Sequence, residues 1–521
     1  MSLIWLTPLL EDWPADVASR ITDTHHACKH SKETFAARAD VVRGVFQPML
    51  DNGLQLNSLI EFVVACMQAG TVASLTLPIL NGSTKVLRIP HEVKVAWLAM
   101  QALGGIESDP PIRGTLRLGC MSLHRLWACS ERLSIARLQA VWLMWWQLSH
   151  FPQEQRLQHD LLIERHCVDP TRVPLWLECA TPLGSLALSA DLRIEDAAAA
   201  AAAPVASPAA APAHECSRTA AEGGAPNYGA RPAAHAVVDF ANKQLHIGKV
   251  IPSCTQEEVM FSVRPEAYLC IPLAATMASD EVITIRGARQ VCDYAGYGSR
   301  FRVCAFEPPP TASTLLPRPG VTASGKAPSP GPGSECSTAA ATKLPSFLFG
   351  IEEHIPAVLA MDALWLTDPK RQFRRDALER DLNKAVTSFA SVVRGIAMDC
   401  PSPADPSTGA AAEGGGAASL VQNEVCVSTG KWGCGVFNGD VTLKVLQQWA
   451  AASVAGVSLR VSTFGHPRQA AALGALAQHL QSSPSMRTVG GLLSAIDAYG
   501  LQVLEGTKAV SGLGKHLLSL E

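Results

Sequence analysis

The chain has 521 residues, a formal net charge of −3 and 48% hydrophobic side chains, enough length for roughly three domains and for a large core. That charge balance excludes a globally basic nucleic-acid binder, so a polyanionic ligand has to be held by local geometry rather than by a broad field. The fifteen cysteines are scattered without a CxxC pair, the pattern of a reduced intracellular protein rather than a disulfide scaffold.

In chain order, the N-terminus does not read as a secretory signal: its apolar run is short, lacks a positive lead and meets Glu11-Asp12. The tract His25-His26-Ala27-Cys28-Lys29-His30 has ligand-type side chains without zinc spacing and reads as a polar helix surface. Up to about Pro152 apolar residues recur at helical spacing, as in Leu56, Leu59, Ile60, Val63 and Val64, then Val93, Val95, Leu98 and Leu103. Phe62 to Leu80 is interrupted by Gln68, Gly70, Thr71 and Pro78, and the tryptophan-rich Leu138 to Leu148 is too short to span a bilayer. Both are expected as buried helices of an all-α accessory domain over residues 1–173, and no membrane association is expected. After Pro174 the pattern changes. Strands are predicted at Leu183–Leu188, His235–Phe240, Val282–Ile285, Phe301–Ala305 and Val457–Thr463, with helices at Glu257–Phe261, Lys370–Ser391 and Asp440–Val454. Strands alternating with helices predict an α/β layered domain with a mixed sheet over residues 174–521. Stretches at about 197–234, 307–342 and 401–418, rich in Ala, Pro, Gly and Ser, read as disordered insertions at loop positions.

Two constellations within the second half suggest chemistry. Val238-Asp239-Phe240-Ala241-Asn242 leads to Gln256-Glu257-Glu258, adjacent carboxylates behind a loop. Ser428 to Asp440, STGKWGCGVFNGD, is a Gly-rich loop between a strand-like run and a helix-like one. Such a loop exposes backbone N–H groups where a helix begins, a position suited to phosphate or diphosphate. The glycine spacing matches neither a dinucleotide fingerprint nor a P-loop, so a phosphate cradle and a simple tight turn both stand on spacing alone. Glu257 and Glu258 read either as acid/base groups or as first-turn acids favoured by the helix dipole. Tyr294 and Tyr297, beside glycine, either stack on a base or anchor a turn. Lys370 to Arg375 reads as a solvated helix face rather than a targeting signal.

Taken together, VDFAN, thirteen residues, QEE, then DYAGYGSRFR, AMDAL, LERDLNKA, STGKWGCGVFNGD and VSTF resemble the catalytic domain of the poly(ADP-ribose) glycohydrolase family. Pro174-Leu175-Trp176, Pro182-Leu183 and Leu192 to Asp196 resemble its lead-in, and LPIL and IPHEV (Leu77 to Val93) its helical accessory domain; the likeness runs from about Leu77 to Phe464. The resemblance implies a macrodomain-like α/β/α sandwich with a mixed sheet, preceded by the all-α domain. It implies hydrolysis of the ribose–ribose O-glycosidic bonds of poly(ADP-ribose) on modified proteins, releasing ADP-ribose with no cofactor and no metal. By the same resemblance Glu258 is the acid/base, Glu257 and Asn242 hold ribose hydroxyls, and Asp239 supports the catalytic loop. Ile194, Glu195 and Gln256 border the adenine, Tyr297 and Phe464 pack around the nucleotide, and the N–H groups of Gly435, Val436 and Phe437 cradle the diphosphate near Lys431. A monomer of the nucleus and/or cytoplasm, linked to the DNA damage response without direct DNA binding, is the matching expectation.

Elementary chemistry is in accord with one Glu working as acid and then base, because adjacent residues diverge by about 100° on a helix and would not flank a sugar as a pair. Two departures stand out. His246-Ile247-Gly248 occupies the place of three consecutive glycines in the family, and Lys431 stands where the family usually has Asn. His246 and Lys249 are therefore expected to offer cationic contacts to the diphosphate.

Overall fold

The computed structural model describes residues 39–69, 80–83, 85–102, 123–127, 132–150, 160–194, 234–247, 254–304, 355–399 and 425–520. The insertions expected at 307–342 and 401–418, nearly all of the one at 197–234, and the His25–His30 tract lie outside the described residues.

The N-terminal half supplies helices α1 (Ala39–Asp51), α2 (Leu56–Ala69), α3 (His91–Ala102) and α4 (Arg132–His150). In α1 the apolar positions Val41, Val42, Val45, Phe46 and Met49 line one buried stripe, while Asp40, Arg43 and Gln47 face out. Trp142, Trp145 and Trp146 of α4 are fully buried, and Phe46 meets Trp142 edge-on at 4.9 Å. The tryptophan-rich stretch is a core helix, as its length required.

One eight-stranded sheet follows the order β1-β2-β5-β8-β4-β9-β10-β3. Its members are β1 (Val86–Ile89), β2 (Leu161–Cys167), β3 (Leu186–Ser189), β4 (Ala236–Asp239), β5 (Glu281–Arg286), β8 (Ala357–Ala360), β9 (Cys426–Thr429) and β10 (Ser458–Ser462). Strands β8, β4, β9, β10 and β3 run parallel, and β1, β2 and β5 add an antiparallel edge, so the sheet is mixed as expected. Period-two alternation sends Val237, Val358 and Ile283 into the core shared with α1 to α4. Their neighbours Ala236, Val238, Leu359 and Val282 enter a second core, under α6 (Arg375–Asp399), α7 (Val441–Ala455), α8 (Pro467–Ser482) and α9 (Val489–Leu504). Helices on both faces make the α/β/α sandwich.

Three expectations need correction. The part before residue 173 is not all-α: β1 and β2 lie in it and pair through β5 into the sheet, so a boundary at 173 would cut through the hydrogen-bonded layer. A buried ion pair joins the same halves, with Lys94 Nζ of α3 at 2.6 Å from Glu266 Oε1. Burial alone would raise the Glu266 carboxyl, but the Lys94 and Arg289 charges hold it at about 2. The strand expected at Phe301–Ala305 shrinks to β7 (Arg302–Val303), which among the described residues pairs only with β6 (Tyr294–Ala295) in a separate ribbon. The helix expected from Lys370 starts at Arg375, because Pro369–Phe373 forms a 3-10 turn capped by Asp368. Lys370, Arg371, Arg374 and Arg375 are exposed there, a solvated surface as read.

Candidate active site

The parallel strands end at one rim, and the candidate residues sit on the connections that leave it, except Tyr297, which reaches Phe464 from the connection after β5. Asp239 closes β4 and is fully buried. Helix α5 (Gln256–Val263) then begins at Thr255, whose N–H donates to Glu258 Oε2 at 2.7 Å in a capping box. The T-x-x-E spacing thus gives Glu258 a structural bond at one oxygen, while Oε1 lies 3.9 Å from His246 Nδ1.

Glu257 has a different surrounding. Its Oε2 accepts the N–H of Asn242 at 3.1 Å, and its Oε1 accepts the N–H of His246 at 3.3 Å. It pins the loop after β4 from below, a use that adjacency in sequence does not reveal. Gln256, expected at the adenine side, is similarly engaged: its Oε1 accepts Phe240 N–H at 2.7 Å and its Nε2 donates to Val238 O at 3.0 Å. His246, expected to face a diphosphate, points its ring at the Glu258 carboxylate instead; Lys249 and Gly248 lie outside the described residues.

Three carboxyls therefore share one buried corner. Burial pushes the Asp239 carboxyl up to about 8, against the opposing pull of Arg264, and neither of its oxygens has a hydrogen-bond partner among the described residues. Burial, reinforced by Asp239, also raises Glu257 well above the usual carboxylate range. Asp239 is thus expected to stand neutral beside Glu257 near pH 7. Linkage gives the sign: a carboxyl raised from 3.8 unfolded to about 8 folded favours the fold below its unfolded value, and that contribution is lost as pH rises through about 8. Melting followed from about pH 6 to about pH 9 should show a steeper fall for the wild type than for Asp239→Asn. Parallel curves would mean that Asp239 ionises normally.

The Gly-rich loop crosses the neighbouring strand end. Trp432 is fully buried and donates to Met361 O at 2.9 Å. Gly433 (φ +71°) leads to a 3-10 turn at Gly435–Phe437, and Gly439 N–H returns to Gly433 O at 3.0 Å to close the loop. Asp440 then caps α7 through Leu443 N–H at 2.9 Å. The N–H groups of Gly435 and Val436 find no backbone acceptor among the described residues, so the turn presents donors outward. Lys431 is half-buried beside them, and burial lowers its ammonium pKa.

Aromatic walls complete the site. Phe464 meets Tyr297 at 5.5 Å and Phe240 at 6.3 Å, both edge-on. It holds φ +50°, strained for a bulky residue, and a Cβ on Gly430 would come within 2.6 Å of its ring. Ile194 is buried on the adjoining segment, where Ser428 Oγ donates to its carbonyl; Glu195 lies outside the described residues.

Several participants were missed. Trp365, 61% exposed, tilts against Phe437 at 5.7 Å and extends the aromatic rim. Beneath the loop, Arg380 bonds Asp362 and Asp381, Lys384 pairs with Asp362, and Lys444 pairs with Asp381. The segments AMDAL and LERDLNKA were the available signal, since they supply all of this network except Lys444. Among the described residues no cluster of three or more His, Cys, Asp or Glu has metal-ligating geometry, and no helix is long and apolar enough to cross a membrane.

Residues 229–471 match the family model described as Poly (ADP-ribose) glycohydrolase (PARG), Macro domain fold. Poly(ADP-ribose) glycohydrolase 1 of Arabidopsis thaliana is 26% identical over 264 residues, covering 42% of this chain and 40% of its own length. Poly(ADP-ribose) glycohydrolase 1 of Caenorhabditis elegans is 26% identical over 269 residues, covering 51% of this chain and 27% of its own. Probable poly(ADP-ribose) glycohydrolase 2 of Arabidopsis thaliana is 25% identical over 232 residues, with 42% and 37% covered. The chain spans less than half the length of these relatives.

Proposed function

We propose that the chain, whose residues 229–471 match the poly(ADP-ribose) glycohydrolase family model, hydrolyses ribose–ribose O-glycosidic bonds of poly(ADP-ribose) and releases ADP-ribose. The observation that carries the proposal is the buried Glu258, fixed at one oxygen by Thr255 and turned at the other toward the loop after β4. Protonated Glu258 gives its proton to the leaving ribose oxygen as the C–O bond breaks and its electron pair passes to that oxygen. Water then adds to the oxocarbenium-like carbon, and its proton returns to Glu258. Glu257 and Asn242 position ribose hydroxyls, and Asp239 keeps the loop in place. The turn at Gly435–Phe437, with Lys431, receives the diphosphate. Ile194 and Gln256 are assigned to the adenine side, with Glu195 joining them by the family resemblance, and Tyr297 and Phe464 pack around the nucleotide. The substrate is polymer on modified proteins, met in the nucleus or cytoplasm by a monomer.

A second reading rests on His246. Its Nδ1 lies 3.9 Å from Glu258 Oε1, so a side chain crowds that carboxyl from a loop position where the family has glycine, an arrangement that suits a non-hydrolytic ADP-ribose reader. One assay decides between the two. Purified protein incubated with labelled poly(ADP-ribose) is expected to liberate free ADP-ribose; retention of intact polymer on the protein would select the reader.

A further inference from the structure

Away from this site, a cleft of about 280 Å³ opens between the end of β2 and the outer turns of α6. Lys85, His166, Arg172 and Arg394 line it. We propose that it binds a phosphate- or diphosphate-type oxyanion.

The charge balance is the first reason. Three nearby carboxylates already have a cation: Glu281 takes Arg165 at 2.5 Å, Glu164 takes Arg286 at 2.9 Å, and Asp169 takes Arg172 at 3.4 Å. Lys85 and Arg394 make no ion pair or side-chain hydrogen bond with any described residue, so carboxylates offset them only at longer range, Glu164 for Arg394 and Asp280 near Lys85. Burial and then the Arg172 charge lower the Arg394 pKa, a like-charge crowding that a bound anion relieves. The second reason is a donor without an acceptor. His166 Nε2 is buried and has no hydrogen-bond partner among the described residues. A neutral imidazole carrying its proton there, with a guanidinium and an ammonium, forms the donor set that phosphate oxygens accept.

Size narrows the ligand. The volume falls below the roughly 300–1,000 Å³ of pockets that enclose a drug-sized molecule, so the fit is to a charged group rather than to a whole nucleotide. Location adds a consequence. Strand β2 is antiparallel to β5, β5 to β8, and β8 parallel to β4, so β2 and β4 end at the same rim. Three strand spacings separate them, about 14 Å. The anion is either free in solution or the diphosphate of a further unit in a bound polymer; the latter rests on the function proposed above.

The test uses the full chain labelled with ¹⁵N-histidine and titrated with pyrophosphate, the His166 ring signal being assigned through His166→Gln. The signal is expected to shift saturably in the wild type. The Lys85→Ala/Arg394→Ala variant should weaken that response about tenfold or more, the scale of lost charge-assisted contacts. Both side chains are exposed, so its melt should match the wild type. A His166 signal that ignores pyrophosphate, or equal affinity in the double variant, overturns the site. A second arm measures long poly(ADP-ribose) and ADP-ribose affinity in a Glu258→Gln background. Weakened polymer binding with unchanged ADP-ribose binding identifies the polymer as the source of the anion; an effect on pyrophosphate alone identifies a free anion. The pyrophosphate arm stands whether or not the chain hydrolyses polymer.

Discussion

Glu258→Gln is expected to lower release of ADP-ribose from polymer by ~10²-fold or more while leaving ADP-ribose affinity within a few-fold of the wild type. The substitution keeps the shape of the side chain and one carbonyl oxygen. That oxygen can still accept the Thr255 N–H now bonded to Oε2 at 2.7 Å, so the start of α5 should persist and the melt should change little. What disappears is a group able to give a proton and take one back. The neighbouring Glu257→Gln makes an instructive contrast. Both Glu257 oxygens accept backbone N–H groups, so an amide there must turn an NH₂ toward one donor and disturb the loop. Activity and binding should fall together in that variant, but separate in Glu258→Gln. Turnover by Glu258→Gln within tenfold of the wild type would remove Glu258 from the acid/base role.

The second large effect concerns stability. Lys444→Met is expected to cost about 3–5 kcal/mol, the usual result of leaving one partner of a buried ion pair uncompensated. Lys444 and Asp381 are each 1% exposed, and Asp381 would keep only Arg380. The aliphatic stem of Lys444 also underlies the Gly-rich loop: a Cβ on Gly439 would sit 3.0 Å from its Cε. The loss should therefore reach the loop, with weaker ADP-ribose binding in conditions where the variant remains folded. Urea unfolding with unchanged slope and a shifted midpoint is the expected record. A cost below about 1 kcal/mol would mean that Asp381 finds water or another cation at little expense.

How much of this was legible in the sequence differs by element. Strand β4 and helix α5 were read closely, because the change from alternating to helical periodicity falls between Asp239 and Gln256. Strand β8 was missed: Ala357-Val358-Leu359-Ala360 is buried on both faces, and so short an apolar run has no period to distinguish it from helix. Strands β1 and β2 were submerged in a helical neighbourhood. Their identity comes from pairing with β5, a long-range fact. At the site, the motif order pointed to Glu258, Phe464 and the Gly-rich loop, which lie on the connections after β4, β10 and β9, neighbouring strands of the sheet. The bonds of Glu257 and Gln256 to the β4 loop were not legible, because hydrogen-bond partners eleven to eighteen residues away depend on how that loop folds back. The orientation of His246 was unreadable for the same reason.

The edge strand β3 has a consequence for how the protein is made. Its partner in the sheet is β10, and Leu186 pairs with Leu459. On a ribosome, β3 emerges long before any partner exists, and the parallel layer cannot be completed until β10 follows. Non-local parallel pairing of this kind is slow, and waiting strands are prone to aggregate. The nascent chain should therefore acquire protease resistance late in synthesis, in a step that requires residues beyond Ser462. Chaperone demand should be concentrated in the interval before that step.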